Sequence, residues 1–387
     1  MKLLALLRHA CVLGLALIPL FAAELVVPRY KVSQTVLRPS DYPDKNYYLA
    51  PNLVRISDRE ILITIKRGSS HGWEDEADAE MIRFDTVDNR IVEKRTIGHV
   101  PGRKFQLTMG TLFGDGTLAM FTDFQSTGHD GRHYREGMRV SRSSDRGASF
   151  GPWQEVGLID GIEYGYPFDF IVEKDAAYLL TMSFGYRPGG RWSVAVLKST
   201  DHGRRWNFVR DLTAEFGGFR INESGFLRQG DGFLVVTRGY DNAVRVQRTD
   251  GQFRMLQQVN LTETCPLVND YIGWPRIFQR DGRIYLLGRN WTEKPAKILP
   301  TRPAHFPGLP DNQQLCLLRL NAASLTVERV VTLDNDGGHL PVIDGYYGVP
   351  YWQERDGREW FNAITYRAIG LNLPDIVRLE FDWAEIR

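Results

Sequence analysis

Cysteine is scarce in this sequence: only three of the 387 residues are cysteine, and Cys11 lies in the N-terminal segment. So few thiols exclude a disulfide framework, and no cysteine here has the spacing typical of a metal site. The remaining two, Cys265 and Cys316, can form one disulfide or stay as two buried thiols. We therefore expect no metal ion and no other cofactor.

An excess of charge of either sign is also missing, because 48 basic residues face 47 acidic ones and the formal net charge is +1. Domains that bind nucleic acid carry a basic patch or a strong positive excess, so no nucleic-acid partner is expected. Beyond the N-terminal segment the sequence has no apolar run long enough to span a bilayer. We therefore predict no insertion into a membrane.

The N-terminus reads "MKLLALLRHACVLGLALIPLFAAELVV". Lys2 and Arg8 give it a positive start, a short apolar run follows, and Ala22–Ala23 offers small residues for cleavage. This pattern is typical of a secretory signal peptide, predicted here over residues 1–23, with a retained anchor as the alternative. The mature protein, residues 24–387, is then expected in the periplasm or outside the cell.

A short apolar run, a turn aspartate and a second apolar run recur along the rest of the chain. Each instance predicts a β-hairpin, because aspartate and glycine tolerate the positive φ of a tight turn. Six such units at intervals of 50 to 75 residues predict an all-β fold: a single six-bladed β-propeller of four-stranded antiparallel blades. Residues 24–45 are expected to supply a strand that closes the last blade. The turn aspartates are Asp58, Asp115, Asp175, Asp231, Asp281 and Asp356.

A second repeat, Ser-x-Asp-x-Gly-x-x-aromatic, is centred on Asp145 and Asp201, with weaker versions near Asp88, Asp250 and Asn321. It falls where the outer strands of a blade should turn. The aspartate can accept backbone N–H groups, the glycine can take the left-handed conformation, and the aromatic side chain can pack inward. We assign this turn a structural role, and a surface Ca²⁺ loop is the alternative.

These turns on a six-fold repeat resemble the sialidase superfamily, in which the active site lies at the opposite face of the ring. The segment "NESGFLRQGDGFLVVTR" is similar to the family's Asn-Glu segment. The resemblance makes Glu223 the residue that polarises the nucleophile and Arg238 one of three arginines that bind the substrate carboxylate. The segment "DGYYGVPYW" is similar to the family's nucleophile segment, which implies Tyr347 as the nucleophile, with Tyr346 also possible.

The segment "HGWEDEADAEMIRF" is similar to the acidic loop of the family, and the resemblance places the general acid/base at Asp75, with Glu76 second. "ITIKRG" resembles a strand end that carries a substrate-binding arginine, here Arg67. The last arginine of the triad should come from the fifth blade, where Arg276 and Arg289 compete.

"YYLAP" has Leu49 where the family has its first arginine. Either another arginine replaces it, or the substrate is not a typical sialoside.

The resemblance implies an exported, exo-acting, retaining glycoside hydrolase that cleaves a terminal, anionic sugar from a glycan. A sugar carboxylate repels a carboxylate nucleophile, whereas a phenol avoids this repulsion but titrates near pH 10. A neighbouring glutamate must therefore take the proton during attack.

Two alternatives remain open. One is a lyase or another glycosidase acting on an acidic polysaccharide, in which His129, His133 and Tyr134 of "DFQSTGHDGRHYREGM" would abstract a proton. The other is a glycan-binding propeller without turnover, because a fold alone does not establish chemistry.

Overall fold

The computed structural model describes the chain in eight stretches, and these form six mainly antiparallel sheets arranged as the blades of one ring. The predicted six-bladed propeller is therefore confirmed. The predicted signal peptide lies outside the described residues. The described stretches are 23–72, 74–128, 131–187, 189–269, 272–291, 313–336, 340–370 and 372–387.

Blades one to three follow the chain in order. Blade one contains β3 (Tyr47–Arg55), β4 (Glu60–Gly68), β5 (Asp78–Asp85) and β6 (Arg90–Gly98). Blade two contains β7 (Arg103–Leu112), β8 (Leu118–Thr127), β9 (His133–Ser143) and β10 (Gln154–Glu155). Blade three contains β11 (Leu158–Ile159), β12 (Ile162–Val172), β13 (Ala177–Ser183), β14 (Ser193–Ser199) and β15 (Asn207–Asp211).

Blades four to six complete the ring. Blade four contains β16 (Ile221–Gln229), β17 (Gly232–Gly239), β18 (Val244–Thr249) and β19 (Met255–Asn260). Blade five contains β20 (Gly273–Arg280), β21 (Arg283–Trp291), β22 (Gln313–Leu320), β23 (Val327–Asp334) and β1 (Glu24–Val26). Blade six contains β24 (Val342–Gly345), β25 (Val349–Arg355), β26 (Arg358–Ile369), β27 (Asp375–Asp382) and β2 (Val32–Leu37).

Helical structure in the described residues is limited to single turns. The aspartate or asparagine before each α-helix accepts a backbone N–H of the first turn, as expected of a good N-cap. The helical turns are a 3-10 turn (Pro39–Asp41), α1 (Leu212–Glu215), α2 (Leu261–Thr264) and α3 (Trp383–Ile386). None of them is long and apolar enough to cross a membrane.

The six predicted hairpins are all present between the two innermost strands of their blades. For example, Asp58 lies between β3 and β4, and Asp231 lies between β16 and β17. In each blade the strand that precedes the hairpin turn therefore runs from one face of the ring, which we call the mouth, to the face that carries these turns, which we call the turn face.

Two strands from the start of the chain join blades formed by later residues. β2 pairs antiparallel with β27, so that blade six is closed as predicted, and Leu37 is buried there. β1 pairs parallel with β23 on the outer edge of blade five, which the sequence did not indicate. These pairings cover two sheet edges that would otherwise be open to other chains.

The repeated turns around Asp145 and Asp201 have matching hydrogen bonds. Asp145 Oδ1 accepts the Ser149 N–H at 2.8 Å, and Asp201 Oδ1 accepts the Arg205 N–H at 2.8 Å. In the second turn, Trp206 packs into a buried apolar cluster. The two turns thus link the two outer strands of their blades, β9 to β10 and β14 to β15, as predicted. Cys265 and Cys316 are separate, buried thiols and form no disulfide.

Candidate active site

The innermost strands are irregular near the mouth. Their pairing shifts register beside Ala50, Tyr166 and Trp274 and is interrupted at Tyr346, between β24 and β25, and each of these residues has a positive φ, from 51° to 69°. Bulges of this kind redirect side chains, and bulky residues rarely adopt the left-handed conformation. Such strain is common at functional sites, so these bulges make the mouth the candidate site.

Tyr347 and Glu223 meet at the mouth. Tyr347 follows the bulge between β24 and β25 in blade six, and Glu223 lies near the start of β16 in blade four. The Tyr347 phenol donates a hydrogen bond to Glu223 Oε1 with an O–O distance of 2.7 Å. Both side chains are buried, with 5% and 3% of their surface exposed. We call this pair the dyad.

Glu223 is held as a carboxylate by its neighbours. Arg238 Nη1 lies 2.7 Å from Oε2, and the Trp274 backbone N–H donates to the same oxygen at 3.0 Å. Burial raises the pKa of Glu223, but the charges of Arg238 and Arg289 outweigh burial and hold the pKa below its usual value. An ionised Glu223 can accept the phenolic proton of Tyr347.

Arg289 and Trp274, from blade five, fix the Tyr347 ring. Arg289 Nη2 donates to the Tyr347 oxygen at 2.9 Å, and its guanidinium carbon lies 4.4 Å from the ring centroid. The Trp274 ring stacks on Tyr347 with centroids 5.6 Å apart and an interplanar angle of 23°. A cation donating to the phenolic oxygen stabilises the negative charge that develops there when the proton leaves.

Asp344, a residue that the sequence analysis missed, is fully buried beside the dyad. It accepts hydrogen bonds from Tyr47 at 2.5 Å and Tyr366 at 2.9 Å, and it lies 3.7 Å from Arg289. Its other partner is His71 Nδ1, at 2.7 Å. Asp344 stands three residues before Tyr347 in "DGYYG", and this proximity was the signal that could have identified it.

The pKa of Asp344 is lowered to about 2. Burial acts in the opposite direction, but the interactions with His71 and Arg289 outweigh it. The carboxylate therefore stays ionised and is hydrogen-bonded to three side chains, Tyr47, His71 and Tyr366, from blades one and six.

The predicted proton donor, Asp75, lies on the loop that joins β4 to β5. Its side chain is exposed and forms no hydrogen bond or ion pair with any described residue. The partial burial expected of a proton donor is therefore not seen. The two adjacent glutamates form ion pairs with lysines: Glu74 is buried against Lys66, and Glu76 pairs with Lys45 at 2.5 Å. His71, on the same loop, is half-buried with its Nε2 atom unengaged by described residues.

The remaining predicted arginines differ in position. Arg276 and Arg289 were the two candidates for the last arginine of the triad. Arg289 contacts the dyad, whereas Arg276 donates to the Phe168 carbonyl and to Asn52. Burial lowers the pKa of Arg276 to about 10. Arg67 is buried in ion pairs with Asp78 and Glu80 of its own blade, and none of its contacts joins it to the dyad.

Leu49, at the position of the missing arginine, is a buried apolar residue beside the bulge in β3. It therefore presents no charge to the mouth.

His133 and Tyr134, the blade-two residues of the lyase alternative that the structure describes, lie at the start of β9. His133 is half-buried, and burial together with the charge of Lys104 lowers the pKa of its imidazole. Its Nδ1 atom lies 3.0 Å from the Thr127 hydroxyl. Tyr134 packs edge-on against Tyr186. His129 lies outside the described residues.

One group of potential metal ligands, Glu76, Asp78 and His99, stands at the side of blade one. The Lys45 ammonium already pairs with both carboxylates, at 2.5 and 2.9 Å. Because Lys45 already pairs with these carboxylates, a metal cation would gain little binding energy here. We therefore assign no metal ion to this group.

Compared by sequence, the chain matches no protein-family model and no curated protein. Compared by structure, it is similar to a protein of unknown function from Dyadobacter fermentans, with a TM-score of 0.66, 14% identity, and coverage of 92% of this chain and 98% of that one. It is also similar to an intramolecular trans-sialidase from Ruminococcus gnavus, with a TM-score of 0.61, 10% identity, and coverage of 91% and 97%.

The NanB sialidase from Streptococcus pneumoniae gives a TM-score of 0.58 at 9% identity, with coverage of 93% of this chain and 71% of that one. Identities this low relate folds and do not transfer activities. The expected resemblance to sialidases is thus confirmed for the architecture, and the chain has the six-bladed propeller fold of the sialidases.

Proposed function

We propose that this protein is a retaining, exo-acting glycoside hydrolase in which Tyr347 is the nucleophile and Glu223 is its base. The observation that carries the proposal is the 2.7 Å hydrogen bond from the Tyr347 phenol to a buried, ionised Glu223. A tyrosine that is buried only to fill the core does not need a carboxylate as its hydrogen-bond partner. It also does not need two arginines, such as Arg238 and Arg289, beside that carboxylate. Here Glu223, Arg238 and Arg289 come from three different strands, and Tyr347 comes from the segment between β24 and β25.

In the first step, the Tyr347 oxygen attacks the anomeric carbon while Glu223 takes the phenolic proton. The bond to the leaving oxygen breaks, and that oxygen receives a proton from a group on the β4–β5 loop. Water then attacks the anomeric carbon while the deprotonated group on the β4–β5 loop takes one of its protons. The bond to the Tyr347 oxygen breaks, Glu223 returns the proton to that oxygen, and the sugar leaves with its original configuration. Arg289 stabilises the phenolic oxygen while it carries negative charge.

Asp75 is the proton donor that the family resemblance implies. It is exposed, so closure of its loop over a bound sugar would have to bury it. His71 is a second candidate on this loop, because the Asp344 carboxylate orients its Nδ1 atom and leaves Nε2 for a substrate.

We propose that the cleaved sugar is anionic. Arg238 and Arg289 lie beside the dyad, and guanidinium groups bind carboxylates through paired hydrogen bonds. Because Leu49 replaces the first arginine of the sialidase triad, a typical sialoside would lose one of its contacts. The proposed substrate class is therefore a terminal acidic sugar held by two arginines of the mouth.

The test uses 4-methylumbelliferyl glycosides of N-acetylneuraminic, glucuronic and iduronic acid. For the sugar that is released, NMR should show retention of the anomeric configuration in the first product. A fluorinated glycosyl fluoride of that sugar should leave an adduct that peptide mass spectrometry places on Tyr347. An inverted product, or an adduct on another residue, contradicts the mechanism.

A lyase acting on an acidic polysaccharide is the second candidate. The observation that favours it is the lowered pKa of His133, which leaves a neutral imidazole available as a base. A lyase would produce an unsaturated sugar that absorbs in the ultraviolet. Alginate, polygalacturonate and hyaluronan can be screened for this absorbance, with His133→Ala as the matched variant, and its absence on all three would remove this candidate.

We further propose that the protein is exported after cleavage of residues 1–23, on the basis of the N-terminal pattern. Expression of the full chain in a Gram-negative host, followed by fractionation and N-terminal sequencing, tests this. A mature start close to Glu24 outside the cytoplasm supports export, and an uncleaved cytoplasmic chain contradicts it.

A further inference from the structure

Exposed aromatic side chains gather on the mouth side of blades three and four. Six aromatic residues of the described chain are exposed, and four of these are Tyr186, Trp192, Phe219 and Tyr240, with 37% to 47% of their surface open to solvent. Together with Arg220 we call them the aromatic surface. A contiguous patch of this kind on a soluble protein indicates a binding surface.

Tyr186, Trp192, Arg220 and Tyr240 form a connected group within this surface. The rings of Tyr186 and Trp192 lie 5.8 Å apart, nearly perpendicular. The guanidinium carbon of Arg220 lies 4.3 Å from the centroid of Trp192 and 4.5 Å from that of Tyr240. The arginine is thus held between two aromatic rings, which limits its rotamers before a ligand arrives.

Arg220 has no acidic partner within the described residues, although its guanidinium is exposed. Many arginines near the mouth are paired, including Arg187 with Glu163 and Arg238 with Glu223. An ordered guanidinium without a carboxylate offers its paired donors to an anion from outside.

The aromatic surface is continuous with the candidate active site. Arg220 precedes Glu223 by three residues, and Tyr240 follows Arg238 by two, so each pair is separated by roughly 10 Å or less along a strand. The Tyr240 N–H donates to the Arg220 carbonyl at 2.9 Å, which ties the two segments together. A chain whose terminal sugar reached the dyad would pass over this surface.

We propose that the aromatic surface binds the further sugar rings of an acidic oligosaccharide. The C–H faces of pyranose rings are apolar and pack on aromatic rings, and Trp192, Tyr186 and Tyr240 present such faces. Arg220 then binds a carboxylate or sulfate of the same chain. This inference rests on the proposed function only for the orientation of the bound oligosaccharide, whose terminal sugar would lie at the dyad. Binding itself does not require turnover.

The experiment measures binding by calorimetry in a Tyr347→Phe background, which prevents turnover. The probes are a hyaluronan hexasaccharide, a heparin-derived hexasaccharide, a sialylated hexasaccharide and neutral maltohexaose. At least one acidic probe should bind more tightly than maltohexaose. Trp192→Ala and Arg220→Ala should each weaken that binding roughly tenfold, about the effect of losing one stacked or charge-assisted contact.

Phe208→Ala is the matched control, because Phe208 is an exposed aromatic residue on the outer strand of the same blade. It should leave the affinity unchanged. Arg220 is on the surface, so Arg220→Ala keeps the test valid if Trp192→Ala does not fold. Arg220→Lys should recover only part of the affinity, since lysine lacks the paired donors.

Equal affinity in wild type and variants, equal binding of maltohexaose, or no binding of any probe would each overturn the inference. A change of oligomeric state in Trp192→Ala, measured by light scattering, with no change in sugar binding would assign the surface to a second copy instead. Turnover by Tyr347→Phe would remove the proposed dyad and leave the binding result standing, so the two failures can be told apart.

Discussion

Tyr347 and Glu223 are 124 residues apart in the sequence, yet the phenol of one donates a 2.7 Å hydrogen bond to the carboxylate of the other. The contact joins blade six to blade four across the mouth. Its geometry depends on closure of the ring, because neither blade alone could set the distance between the two oxygens.

Removing either member of the dyad should abolish turnover. Tyr347→Phe removes the nucleophile and should lower kcat/KM by more than about 1,000-fold, whereas Glu223→Gln removes the base and should cost roughly 100- to 10,000-fold. Release of 4-methylumbelliferone measures both. Tyr178→Phe, at a buried tyrosine of blade three, should have no effect. Full activity in both dyad variants would falsify the proposed roles.

Replacing Arg238 should shift the pH dependence of the reaction. Without this positive charge, burial dominates and the pKa of Glu223 rises, so the acidic limb of kcat/KM against pH should move to higher pH. Arg238→Ala should also lower stability by about 3 kcal/mol, because it leaves a buried charge with less compensation. Arg254→Ala, which breaks an exposed ion pair, is the control. An unmoved acidic limb would contradict the assignment of Glu223 as the base.

Asp344 should contribute stability that disappears in acid. Its pKa in the folded protein, about 2, is below its usual value, so its contribution is complete above about pH 4 and is lost as the pH falls towards 2. The contribution is about 2.5 kcal/mol, because one pKa unit corresponds to about 1.4 kcal/mol. Urea unfolding from pH 2 to 6 should show a flatter profile in Asp344→Asn than in wild type. Asp160→Asn, at an exposed site, should follow the wild-type profile.

The proton donor can be identified through the leaving group. An activated leaving group such as dinitrophenolate departs without a proton, whereas an alkoxide needs one. Asp75→Asn should therefore slow cleavage of an alkyl glycoside by roughly 100-fold or more and that of a dinitrophenyl glycoside by only about threefold. His71→Gln is the matched comparison on the same loop and should affect both substrates alike. The reverse pattern would transfer the role to His71.

Closure of blade six should be visible in the stability of the protein. Leu37 is 1% exposed at the end of β2, so Leu37→Ala should lower the free energy of unfolding by about 3 kcal/mol. Leu25 lies in β1 and is 53% exposed, so Leu25→Ala should change the free energy of unfolding by no more than about 0.5 kcal/mol. Urea unfolding measures both, and equal losses would show that β2 does not hold the ring closed.

The hairpins could be predicted from the sequence because their signal is local. A turn aspartate such as Asp58 or Asp231, with apolar runs on both sides, fixes two strands and the register between them. Recurrence of that unit fixed the number of blades. The parallel pairing of β1 with β23 has no local signal, because it joins residues about 300 positions apart.

The candidate site could be predicted only in part. Glu223 and Tyr347 stand in segments that resemble family motifs, and the structure brings them together. The choice between Arg276 and Arg289 could not be made, because the register shift between Gly273 and Arg276 decides which side chains face the mouth. Such a shift is a property of strand pairing and does not appear in the residue pattern.

Asp344 escaped notice for a related reason. Its partners His71 and Tyr47 come from blade one, at the other end of the chain, and meet it only when the ring closes. A buried carboxylate can persist only with partners of this kind, and its position three residues before Tyr347 does not show which partners these are.

The parallel pairing of β1 also determines how the protein can be attached to a support. β23 runs from the turn face towards the mouth, and β1 runs alongside it, so Glu24 enters the ring from the turn face at its outer edge. An affinity tag or a fluorescent label placed ahead of Glu24 would project from the turn face, opposite the mouth that contains the dyad. Immobilised through such a tether, the protein would present its mouth to solution, and a large ligand could approach the mouth without obstruction.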